Sequence, residues 1–260
     1  MNVRPLVLAA LALALAAPQA LAAGAKATQT PAFCQTDPTA GFKGSGENYC
    51  APTALSDALL YLAGARHFDK LAKGDHDGHA KLIRALAKHM GTDPANGTGP
   101  AGIMKGLWTY VESKHYHVAK LEYAGWRDIG KANMRFAKSK QVPLPWLTAA
   151  ANDPDAGVLL NVGWYKQAPG GYQRTGGHWV AVVGAGKADL QLRNPSKPED
   201  KQATANTVAL TALGPTFKIV KSPGAPATLA GYYQASGPGI PTGATTKAVV
   251  DCAMVFSLKN

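Results

Sequence analysis

Gly176-Gly-His-Trp-Val-Ala-Val-Val-Gly184 is an apolar, β-branched run opened by two glycines, and Asp189-Leu-Gln-Leu-Arg193 follows it across Ala185-Gly186-Lys187. Two such runs joined by a tight glycine turn read as an antiparallel hairpin, with strands over Gly177–Gly184 and Asp189–Arg193. Working outward, Gly157–Tyr165 and Val249–Leu258 read as further strands, and His117–Tyr123 alternates in the same way. Pro215–Thr242 is rich in Gly and Pro and reads as a long surface loop. Upstream the period changes. Ala54, Leu55, Ala58, Leu59 and Leu62 recur at helical spacing within Ala51–Ala65, with Pro52 in the first turn and Gly64 as a stop. The same spacing predicts helices over His79–Met90 and Ala101–Ser113, and a short one around Trp126–Lys138. Helices come first and antiparallel strands follow. The expected fold is therefore α+β, an N-terminal helical lobe whose first helix packs on an antiparallel β-sheet.

The chain ends define where it works. A basic residue, Arg4, precedes an apolar run from Leu6 to Ala17, then Pro18 and small residues at Ala20 and Ala22. This pattern is that of a secretory signal peptide over residues 1–23, and the run is too short to span a bilayer. Residues 24–260 are then expected to form one exported domain, secreted or periplasmic, with no membrane span after cleavage and as a monomer. Net charge is +11 and loses only Arg4 with the leader, leaving +10. No basic stripe interleaved with aromatics accompanies it, so a nucleic-acid partner is not expected. Attraction to anionic envelope polymers, or plain solubility in a periplasm, fits better. Cysteine usage is odd: Cys34, Cys50 and Cys252. In an oxidising compartment Cys34 is expected to pair with Cys252, since domain termini tend to lie close, leaving Cys50 free. The alternative is three reduced thiols.

Cys50 heads the first helix, after Gly44-Ser-Gly-Glu-Asn-Tyr49. A helix N-terminus favours thiolate over thiol, and a neighbouring imidazole would complete a nucleophile. His178 opens its strand behind Gly176-Gly177, where bare backbone would let a substrate approach closely. Asn194 ends the next strand. Counting out from the hairpin turn puts both at one open end of the sheet, where an amide can hold an imidazole in one tautomer.

The stretch Asn48-Tyr-Cys-Ala-Pro-Thr-Ala54, the strand entry Gly177-His178-Trp179 and the pair Asn194-Pro195 together resemble the three motif blocks of papain-like cysteine peptidases. The resemblance is closest to the bacterial branch related to double-glycine leader peptidases, whose nucleophile block reads Cys-Gly/Ala-Pro-Thr/Ala. It implies a papain-like fold, with Cys50 as nucleophile, His178 as general base and acid, and Asn194 as orienter. It implies no cofactor or metal, a peptide substrate (a cell-envelope peptide among the candidates), and Trp179 as a cleft wall shielding the catalytic hydrogen bond. One position departs. The family places a glutamine six residues before the cysteine as an oxyanion donor, and Gly44 stands there. Asn48 is expected to substitute, with Gln35 a more distant candidate. Losing such a donor lowers rates about a hundredfold or more, so the second expectation is a catalytically silent envelope binding protein that keeps the cleft.

Asp75-His-Asp-Gly-His79 crowds four metal-ligand types into five residues, which supports a third reading, a metal-binding secreted protein. A structural metal site ordinarily brings a second, distant ligand pair, so the segment reads better as a polar loop with a helix N-cap. His115 and His117 have no evident partners. Ser45 and Ser56 read as loop and helix-surface positions.

Overall fold

The computed structural model describes residues 24–197 and 205–260, and the leader expected at residues 1–23 lies outside the described residues. Helices α1 (Cys50–Arg66), α2 (His76–Met90) and α3 (Pro100–Ser113) come first. Strand β1 (His117–Gly125), the short β2 (Ala137–Ser139) and helix α4 (Leu144–Asn152) follow. The remaining strands are β3 (Gly157–Ala168), β4 (Gly171–Ala185), β5 (Asp189–Arg193), β6 (Asn206–Ala212), β7 (Tyr233–Ser236) and β8 (Thr246–Lys259). The fold is mixed α+β with a large, mainly antiparallel sheet, as the order of periodicities predicts. No helix among the described residues is long and apolar enough to cross a membrane.

The strands run in the order β2-β1-β8-β3-β4-β5-β6-β7, and among these described strands the β1–β2 pairing alone is parallel. Gln234 of β7 also pairs with Val249 of β8, so the six strands from β8 round to β7 close on themselves. Period-2 alternation then sorts the side chains. Leu159, Trp179, Ala181, Met254 and Phe256 join the core made with α1, α2 and α3, while Leu160, Val180, Val182, Leu192 and Val250 join a second core with α4. α1 is buried from Cys50 to Ala63 and is the helix around which the first core is built.

Helix ends follow local chemistry. α2 starts three residues earlier than the apolar spacing suggests, because Asp75 Oδ1 accepts the Gly78 N–H as an N-cap, and it stops at Gly91 in the left-handed conformation, φ 66°. The helix expected around Trp126–Lys138 is only a 3-10 turn, Lys131–Phe136. None of its six residues is buried, so it has no apolar face to stabilise a longer helix. Within the predicted loop Pro215–Thr242 lies β7, which closes the sheet.

The expected Cys34–Cys252 disulfide is absent: all three cysteines are free. The proximity of chain ends fails here because the last strand is not peripheral. β8 lies between β1 and β3, so Cys252 is fully buried opposite Gly125 and Asn161. Cys34 lies in the lead-in segment, its Sγ 3.3 Å from Thr36 Oγ1.

Candidate active site

The turn before α1 is a run of left-handed residues, Gly44 (φ 57°), Ser45 (φ 51°) and Gly46 (φ 75°). At Gly46 only glycine fits, since a Cβ would stand 1.7 Å from the Gln35 carbonyl oxygen. Gln35 folds over this turn. Its Nε2 donates to Gly46 O (3.2 Å) and Glu47 O (2.6 Å), and its backbone N–H donates to Pro195 O (2.8 Å). The turn before Cys50 and the Asn194–Pro195 turn are thereby tied through one residue.

His178 and Asn194 meet as their hairpin positions predict. Nε2 of His178 lies 2.7 Å from Asn194 Oδ1, and both residues are buried. The amide orientation is set by its other bonds: Oδ1 also accepts from Ser196 N (3.0 Å), and Nδ2 donates to Gly239 O (2.8 Å). A carbonyl oxygen can only accept, so the neutral ring carries its hydrogen on Nε2 and presents the Nδ1 lone pair. Burial holds the His178 pKa below its ordinary value, with the Asn194 bond acting the other way.

The backbone N–H groups of Trp179, Ala51 and Cys50 itself stand near Sγ and favour its thiolate. Trp179 is the residue that follows His178 in the chain. No hydrogen bond joins Sγ to the imidazole, a separation common in unliganded sites that tighten with substrate. The helix end favours the thiolate, as expected, but burial acts against it. Burial pushes its pKa up, and the three N–H groups only oppose that rise. Both shifts favour a thiol beside a neutral imidazole.

The oxyanion candidates are engaged elsewhere. Asn48 Nδ2 donates to Pro94 O (2.8 Å) and Ala95 O (3.2 Å), which occupies both amide hydrogens. Gln35 Nε2 is held by Gly46 and Glu47, as above. Trp179 lines the cleft, but its Nε1 donates to Thr98 O (3.1 Å) on the facing loop. The aromatic beside the imidazole is instead Trp164, with ring centroids 5.9 Å apart, and its Nε1 donates to Pro241 O. The sequence offers Trp164 as one of five tryptophans expected in the core or the cleft wall, with nothing to place it beside His178. Its position on β3, two residues after Val162, the partner of His178, does so.

A cleft of about 310 Å³ opens at Cys50, walled by the loop Ala95–Thr98 on one side and by β3 and β4 on the other. Asn161 and Arg174, neither of them anticipated, stand in that second wall. Arg174 Nε donates to Asp251 Oδ2 (2.6 Å), and its Nη2 reaches Asn161 Oδ1 (3.3 Å). Asp251 is fully buried and also accepts from Tyr165 Oη (2.6 Å) and Trp126 Nε1 (3.2 Å).

The Asp75–His79 segment disperses. Asp75 caps α2, His76 Nε2 lies 2.7 Å from Asp37 Oδ2, and His79 turns inward. His79 Nε2 lies 2.8 Å from Ser56 Oγ and 3.2 Å from Asp57 Oδ1, so Ser56 is a buried residue rather than a helix-surface one. Among the described residues no group of three His, Cys, Asp or Glu is arranged to hold a metal ion. Compared with known proteins, the chain matches no family model and no curated protein.

Proposed function

We propose that this chain is a papain-like cysteine hydrolase of amide bonds, exported through its leader and acting on peptides, with envelope peptides as the natural substrates. The observation that carries the reading is the His178 Nε2–Asn194 Oδ1 bond of 2.7 Å, with Trp179, the next residue of that strand, lining the same cleft as Cys50. In this scheme Nδ1 of His178 takes the Cys50 proton as the sulfur attacks the substrate carbonyl carbon. The C–N bond breaks, and the leaving amine takes the proton back from the imidazolium. Water, deprotonated by His178, then hydrolyses the thioester and regenerates the thiol. The backbone N–H of Cys50 is the available oxyanion donor, and Asn48 joins it only by releasing Pro94 and Ala95. The chemistry needs no cofactor.

The engagement of Asn48, together with Gly44 at the family's glutamine position, favours a second reading. In that reading the chain is a silent binding protein with the same cleft. A peptidyl epoxide and a fluorogenic peptide library separate the two. The hydrolase reading expects labelling at Cys50 alone and amide cleavage. Cys50→Ala should abolish both, and His178→Ala should lower both about a hundredfold or more. Equal labelling in the His178→Ala variant, with no cleavage by the unaltered protein, would leave the binding reading.

A further inference from the structure

Among the described residues, two arginines and no carboxylate line the cleft at Cys50. Their guanidinium carbons lie against one indole, Arg127 at 5.4 Å and Arg174 at 6.0 Å from the Trp126 ring centroid. Arg174 is fixed from behind. Asp251 takes its Nε and Asn161 its Nη2, so Nη1 is the edge left without a hydrogen bond among the described residues. The Arg127 guanidinium has no ion-pair partner among the described residues. The nearest acid on the opposite loop, Asp93, turns its carboxylate back onto the N–H groups of Ala95 and Asn96.

The sheet is shaped around this feature. Gly163 and Gly177 are partners across β3 and β4. A Cβ at Gly177 would stand 2.2 Å from Arg174 Nη2, and one at Gly163 would stand 2.3 Å from Asp251 Oδ2. Gly163 and Gly177 thus make room for a buried ion pair whose cationic end reaches the cleft. A guanidinium held in place by an acid and an amide is preorganised, which lowers the entropy lost when it binds an oxyanion.

We propose that Arg127 and Arg174 form a carboxylate-recognition site for the substrate, either an acidic side chain near the scissile bond or a free terminal α-carboxylate. The assignment of a scissile bond rests on the hydrolase reading, whereas carboxylate binding does not. The test uses the mature Cys50→Ala protein and fluorescein-labelled alanine heptapeptides carrying Glu or Gln at each position in turn, ended as acid or as amide. Anisotropy should give at least tenfold tighter binding for Glu over Gln at one position, or for acid over amide, which identifies the source. Arg127→Gln and, separately, Arg174→Lys should reduce that preference to within about twofold, with circular dichroism confirming that each variant folds.

Three results would overturn the proposal: no binding by any peptide, a preference spread evenly over all positions, or a preference that survives in both folded variants. Even spreading would mark the mature chain's net charge of +10 rather than a site. The unaltered protein is assayed for cleavage of the same peptides. Binding preference without cleavage would defeat the hydrolase reading while upholding the carboxylate site.

Discussion

The thiol of Cys50 sits where a helix N-terminus favours its anion and burial disfavours it. A helix end contributes about 0.3–1 kcal/mol and at most about 2. Full burial can move an ionisable group by about 3–5 pH units, which is roughly 4–7 kcal/mol. Burial is the larger effect, and the Cys50 pKa lies above the ordinary thiol value of 9.0 despite three N–H donors. Alkylation by iodoacetamide, followed by mass spectrometry of the Cys50 peptide, should therefore be slow at pH 7. Its rate should rise with a midpoint above pH 9. A plateau already reached at pH 7 would mean that a thiolate–imidazolium pair exists at rest. Cys50, His178 and Asn194 were legible in the sequence because each stands at a punctuated position, a helix start or a strand end. Arg174, Asn161 and Trp164 carry no such punctuation. Their roles follow from which face of the pleat they occupy, and that depends on a register only the folded sheet defines.

β3 and β4 are the elements on which the site is most dependent, and their glycines are not equivalent. A Cβ added at Gly176 would meet only the Trp164 ring, at 3.9 Å, which is ordinary contact. Gly163 faces the Asp251 carboxylate, pinned by Tyr165, Trp126 and Arg174, so it cannot move aside cheaply. Gly163→Ala should lower the unfolding free energy by about 1–3 kcal/mol, as overpacking does. Gly176→Ala should stay within about 0.5 kcal/mol, as substitutions away from close packing do. Denaturant melts of the two variants check this, and equal effects would show that the pocket around Asp251 relaxes. The long periodic elements were readable from sequence: α1 and α3 appear within a residue of where spacing puts them, and β5 matches, whereas β4 starts six residues before the predicted Gly177. α4 was not, because Pro143 and Pro145 flank its start. Yet Pro145 falls in the first turn, where a missing N–H is harmless, and burial of Leu147 and Ala151 anchors the helix. β7, four residues in a Gly/Pro-rich stretch, is held by its neighbours β6 and β8 rather than by its own pattern.

At the scale of the whole molecule, the two ends of the described chain are secured without a disulfide. The C-terminal strand is threaded through the middle of the sheet. The N-terminal segment is anchored by Lys26, which is 2% exposed and donates from Nζ to Ala156 O (2.7 Å) and Asp153 O (3.0 Å) while lying over the Tyr61 ring. This joins residues that immediately follow the expected leader to the turn between α4 and β3. Burial lowers the Lys26 pKa from 10.5 to about 8, with Asp153 acting against the shift. Below pH 8 the folded and unfolded chains both hold the proton, and above 10.5 neither does. Between those limits the unfolded chain binds more protons, so this lysine makes stability rise with pH across the window. Relative to Lys26→Met, the unaltered protein should gain up to about 3 kcal/mol between pH 7.5 and 10.5. Buried groups whose pKa is raised, among them Tyr110 and Cys252, each to about 12, work in the opposite direction but are common to both proteins and cancel in the difference. Urea unfolding of the pair at intervals across this range gives the measurement. A difference that stays flat with pH would mean that Lys26 is solvated and that the N-terminal segment does not hold its place against the body of the fold.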